Sequence, residues 1–141
     1  MNTGAANDFP ETRFIKLLNL EKHEAKCIGS LSGELLITPT LDVYPCCSQV
    51  IENTILKIGN LREKSLESII KSIKHNNIFY TLFIEGFNPY IEFMKNNNII
   101  YPKEISSPCE LCEFLFKDDW FMRELYEKDF YWIFINIRII Q

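Results

Sequence analysis

The chain has 141 residues, of which 47% are hydrophobic and 24% charged, a balance that suits one domain with a real core and excludes a disordered chain. Its formal net charge is −4 and no basic stripe stands out, so nucleic acid is not an expected partner. Residues 1–10 carry neither a basic region nor an apolar stretch, and Phe130–Ile140, which includes Arg138, is shorter than the roughly 20 residues of a membrane span; the chain reads as soluble and cytoplasmic, with no membrane partner.

Near the start, Phe14, Ile15, Leu17 and Leu18 sit at helical spacing and predict a helix. Glu34–Thr38 predicts a strand, Pro39-Thr40-Leu41-Asp42 a turn, and Val43-Tyr44 a returning strand that runs into Pro45-Cys46-Cys47. That is a β-hairpin delivering cysteines at its end. A short strand is expected within Ile55–Leu61, closed by Gly59-Asn60. Helical periodicity then takes over. Ser65 caps a helix whose apolar stripe is Leu66, Ile69, Ile70 and Ile73. A second helix carries Ile78, Phe79, Leu82 and Phe83 and stops at Gly86. A third starts at Asn88-Pro89, proline suiting the first helical position, and carries Ile91, Phe93 and Met94. A loop from Asn96 to Pro108 leads to Cys109-Glu110-Leu111-Cys112, and the chain from Phe114 through Trp120 and Leu125 is again helical. The fold class is α+β: a small hairpin followed by several helices, built around a four-cysteine metal site.

The five cysteines carry the chemistry. A cytosolic chain keeps its thiols reduced, so clustered cysteines point to metal or redox work before disulfides. Cys109 and Cys112 have the C-x2-C spacing that lets one turn present two thiolates, a pattern shared by zinc knuckles, redox pairs and iron–sulfur sites. A redox dithiol expects a preceding strand in a βαβ unit, whereas a proline-containing loop precedes this pair. Two further ligands can come from the hairpin, whose outer ends lie within about 5 Å of each other; this brings Cys27 beside Cys46 and Cys47. Side-chain alternation turns Cys46 and Cys47 to opposite faces, so one of the two ligates. Four thiolates suit Zn²⁺ as well as an iron–sulfur cluster.

The run from Cys27 through Gly33, Pro39 and Asp42 to Tyr44-Pro45-Cys46-Cys47 resembles the opening of a SPASM domain, the carboxy-terminal auxiliary iron–sulfur domain of many radical S-adenosylmethionine enzymes. The similarity continues through Ile58-Gly59-Asn60-Leu61 to Ile70 and closes at Cys109-Glu110-Leu111-Cys112, covering roughly residues 23 to 117. The resemblance implies that Cys27, Cys46, Cys109 and Cys112 hold one auxiliary [4Fe–4S] cluster, with Cys46 matching the family's ligand. It implies a radical S-adenosylmethionine barrel, as protein or domain, for a partner, and a peptide or protein substrate. Two departures stand out. The family's turn glycine is replaced by Leu41, for which a positive φ is costly, so the turn is expected to differ. The further cysteines of a second cluster are missing.

Residues 1–22 then read as a connector resembling the barrel-to-SPASM linker, 23–117 as the cluster domain, and 118–141 as a helical extension. The C-x3-C-x2-C loop that opens one iron to the cosubstrate is absent, since Ile105 stands four residues before Cys109. A barrel of about 200 residues has no room. The chain is therefore expected to be a separated or truncated carboxy-terminal part, an auxiliary cluster module for electron relay or substrate positioning, with a structural zinc module as the alternative. His23 and His75, and the pairs Glu21/Glu24, Asp118/Asp119 and Glu124/Glu127, read as solvated surface.

Overall fold

The computed structural model describes residues 17–27 and 33–128. Phe14 and Ile15 of the expected first helix, residues 1–16 of the expected connector and the apolar Phe130–Ile140 stretch lie outside the described residues. Among those described, five short strands in two sheets accompany five α-helices, four of the strands preceding the first helix, an α+β arrangement as expected. No helix among them is long and apolar enough to cross a membrane.

The hairpin is present with shorter strands. β2 (Leu36–Ile37) pairs antiparallel with β3 (Asp42–Tyr44), and β3 pairs with β4 (Gly59–Asn60). The connecting turn closes through the Leu41 N–H donating to the Thr38 carbonyl (2.9 Å) and the Thr38 N–H donating to the Asp42 carbonyl (3.0 Å). Leu41 takes the costly positive φ itself, 68°, a conformation costing a non-glycine residue about 1–2 kcal/mol. The surrounding polar bonds hold it there. The Asp42 carboxylate accepts from the Asn60 amide (2.9 Å) and from Thr40 (3.0 Å), and pairs with Lys57 at 3.2 Å. These bonds, Asn60 first, then Thr40 and Lys57, hold its carboxyl below the usual range.

Helix α1 (Leu66–Lys74) starts where Ser65 accepts from the Ser68 N–H (3.2 Å); its stripe buries Ile69 completely while Leu66 and Ile70 stay 40% exposed. Helix α2 (Asn77–Tyr80), capped by Asn76, widens into a π-helix over Thr81–Glu85 and stops at Gly86, φ 76°. Helix α3 (Asn88–Asn96) comes next, with proline in its first turn. The Asn96–Pro108 loop is not wholly irregular. Within it β5 (Glu104–Ile105) pairs with β1 (Leu18–Asn19), Leu18 opposite Ile105, so Leu18 is extended rather than helical. Helices α4 (Pro108–Phe116) and α5 (Trp120–Glu127) complete the described chain.

The core lies where α3, α4 and α5 meet. Phe121 is fully buried and stands edge-on to Tyr90 (5.4 Å between centroids), Phe93 (5.9 Å) and Phe116 (6.0 Å), the geometry in which positive ring edges meet negative faces. Phe79, Phe87 and Tyr90 are buried in the same core, with Phe83 packed against it. His23 and His75 are exposed.

Candidate metal centre

Three separate segments meet at one cavity. Cys109 and Cys112 ride the first turns of α4, where Pro108 occupies the first helical position, its fixed φ suiting a helix start and its missing N–H costing nothing. The Glu110 carboxylate reaches back to accept from the Ser106 N–H and hydroxyl, both at 2.7 Å, and these bonds lower its pKa. Both cysteines thus sit on a well-fastened helix start. Cys46 follows directly after β3 and its buried Pro45. The chain beyond it is tied to α4: the Ile55 N–H donates to the Phe116 carbonyl (2.8 Å) and the Asn53 amide to Glu113 (3.1 Å). Cys27 comes from the segment after β1, which the β1–β5 ladder and the Leu20 N–H to Lys103 carbonyl bond (2.8 Å) fasten just ahead of α4.

The cavity has a volume of about 280 Å³, and Cys27, Cys46, Cys47, Cys109 and Cys112 all line it. Its walls are apolar, with Ile51 and Phe87 each 1% exposed. Cys112 is buried; Cys27, Cys46 and Cys109 are half-buried; Cys47 is exposed; none is in a disulfide. Burial, followed by the neighbouring Cys27, Cys46 and Cys109 thiolates, pushes the Cys112 thiol well above its ordinary value. Burial also raises Cys46, with Cys27, Cys109 and Cys47 adding to the rise. Charge on the neighbouring cysteines adds to both rises, so ionising several of these thiols together is unfavourable unless a cation shares their charge. No group of three or more His, Cys, Asp or Glu side chains among the described residues closes up tightly enough to hold a metal ion.

Cys47 departs from simple alternation. It stays at the rim of the same cavity, where its thiol donates to the Glu34 carboxylate (2.9 Å). That bond, more than burial, raises its pKa. The sequence offered no sign of this pairing, of the apolar walls at Ile51 and Phe87, or of the β1–β5 ladder. All three come from residues distant in the chain. A Phe87 at helical spacing from Phe83 signals only burial.

Along the chain, 79 residues are 33% identical to YydG of Bacillus subtilis (strain 168), a protein named for peptide biosynthesis; the match takes in 53% of this chain and 25% of that protein. The chain thus spans about a quarter of the length of this curated relative. The family model of the SPASM iron–sulfur cluster-binding domain matches residues 27–113, beginning on the first cysteine of the cavity and ending just past the last. With more than half of its length matched, the chain belongs to the SPASM family of iron–sulfur cluster-binding domains.

Proposed function

We propose that Cys27, Cys46, Cys109 and Cys112 together ligate one auxiliary [4Fe–4S] cluster, which serves a radical S-adenosylmethionine barrel acting on a peptide or protein substrate. The observation that carries this reading is the convergence of these four cysteines, from three segments, on one cavity of about 280 Å³. The donor set fits: four soft thiolates, with no competing imidazole on the cavity wall. Four thiolates also suit a single zinc ion, held at about 2.3 Å, and metal analysis separates the two. When bound, the cluster supplies a one-electron centre. The chain's own contribution is to hold the thiolates and to wall them with Ile51 and Phe87, which limits water at the buried side. Those walls and the Cys47–Glu34 rim also shape what can approach from the open side. The relative named for peptide biosynthesis supports the substrate class, and the barrel is the partner that the family resemblance implies. The module either relays electrons or positions the substrate.

The test is anaerobic reconstitution with iron and sulfide, followed by absorption spectroscopy and metal analysis. The expected product is brown protein with about four irons and four sulfides per chain. Colourless protein carrying one zinc per chain would overturn the cluster assignment. Adding a barrel protein then separates the two roles. Electron transfer to it supports relay, and substrate binding without transfer supports positioning.

A further inference from the structure

The π-helix at Thr81–Glu85 adds a residue to a helical turn, a feature common where a backbone must be re-aimed. Its last bond runs from the Gly86 N–H to the Thr81 carbonyl (2.9 Å). Gly86 then takes φ 76° and ψ −149°, a region essentially reserved for glycine. A Cβ at this position would stand 2.7 Å from the Ala25 carbonyl oxygen and 3.3 Å from the Lys26 Cα. The next N–H, of Phe87, donates to that same Ala25 carbonyl (2.9 Å). Ala25 is 1% exposed and lies two residues before Cys27. The Phe87 ring forms part of the cavity wall, and its carbonyl accepts the first bonds of α3.

We infer that Gly86 and the Phe87 N–H are positioning residues for Cys27: the π-turn aims one backbone donor at Ala25, and the missing Cβ lets the Ala25–Cys27 segment lie close enough to bring the thiol to the cavity. This inference rests on the ligand set proposed above. The Ala25 bond fastens the Cys27 segment to the body of the domain through its backbone, whereas Cys109 and Cys112 are carried by a helix and Cys46 follows closely on β3. Gly86 therefore acts on one ligand of the four. An ordinary helix-stopping glycine would act on stability alone.

The experiment compares Gly86→Ala with Leu125→Ala, a core truncation in α5, and with Cys27→Ser. Metal-free protein is alkylated under native conditions and each cysteine is followed by mass spectrometry. Gly86→Ala is expected to speed labelling of Cys27 roughly tenfold relative to Cys112. After reconstitution it gives a cluster spectrum resembling that of Cys27→Ser. Leu125→Ala, at a matched fall in melting temperature, leaves the Cys27 to Cys112 ratio as in the wild type. An unchanged ratio in Gly86→Ala, or an equal rise in Leu125→Ala, overturns the inference. Should Gly86→Ala fail to fold, amide exchange in the wild type decides: a Phe87 amide exchanging as fast as a solvated loop amide refutes the clamp, and a protected one supports it. Wild-type protein that takes up no iron refutes the ligand set, while the labelling ratio still tests the clamp.

Discussion

Phe121→Ala is the perturbation that the core defines most sharply. Phe121 is 0% exposed and meets Tyr90, Phe93 and Phe116 edge-on, with Trp120 tilted against it at 5.3 Å. Truncating a buried phenylalanine costs about 3–5 kcal/mol through lost transfer energy and the cavity left behind. Each edge-to-face pair adds about 0.5–1.5 kcal/mol beyond area, and three are lost together, so the upper half of that range, about 4–5 kcal/mol, is expected. The rings cannot easily close the gap, since they come from three different helices. Set against a total stability of about 5–15 kcal/mol for a domain, this brings the metal-free chain close to unfolding. Urea titration of metal-free protein followed by circular dichroism measures it: with a slope of about 1–2 kcal/mol/M, the midpoint falls by roughly 2–5 M. Phe121→Leu keeps most of the volume and should lose only about 1–2 kcal/mol. A Phe121→Ala loss below about 1 kcal/mol would refute the packing of α5 against α3 and α4.

At the cavity, Cys46→Ser should lower the iron content after reconstitution while Cys47→Ser leaves it near the wild-type value; the opposite outcome would exchange the two roles. The metal-free protein should lose stability in mild alkali. Burial raises Cys112 and Cys46 above the ordinary 9.0 in the folded state, so the unfolded chain ionises first. The stability that the neutral thiols contribute is complete below about pH 9 and is lost as the pH climbs above it. Urea midpoints against pH should show that decline, and Cys112→Ala should flatten it; a midpoint independent of pH would contradict the burial of Cys112. At the hairpin, Leu41→Val should destabilise by about 1 kcal/mol or more, because a β-branched residue suits φ 68° still less. Leu41→Asn, which tolerates that conformation, should come closer to the wild type in the same titration.

What the sequence disclosed was mostly local. Ser65 ahead of a helical stripe, Gly86 at a helix end, Pro108 before C-x2-C, and the two strands around Pro39–Asp42 each announce themselves through a backbone preference within a few residues. The placing of Cys46 at the end of a strand and of Cys109 and Cys112 on one helix came from these preferences. The features that join the segments were hidden. A two-residue ladder such as Leu18–Asn19 with Glu104–Ile105 has no periodicity to detect, and its partners are far apart in the chain, so the Leu17-Leu18 pair reads equally well as part of a helix. The π-turn was invisible because Ile78, Phe79, Leu82 and Phe83 fit an ordinary helix, and the added residue redirects only the backbone from Gly86 onward. Leu41 shows the reverse case. Local preference argued against a positive φ there, and the bonds from Asn60, Thr40 and Lys57 to Asp42 overrode it. Cys47 turned on the same point: alternation predicts direction only while the strand lasts, and β3 ends at Tyr44.

The proposed ligands are therefore unequally prepared. Cys109 and Cys112 are fixed by a helix start that Pro108 and Glu110 fasten, and they keep their spacing whenever α4 is formed. Cys46 depends on a three-residue strand and on two bonds from its downstream loop to α4. Cys27 depends on a two-residue ladder and on the Leu20–Lys103 and Ala25–Phe87 bonds. A cluster bridging all four would cross-link segments that the polypeptide itself joins through few contacts, so much of its binding energy would appear as folding energy. The join at Cys27 is also where the chain uses a glycine whose φ of 76° and close approach to Ala25 suit no other residue, so a loss of backbone order there would reach a proposed ligand directly.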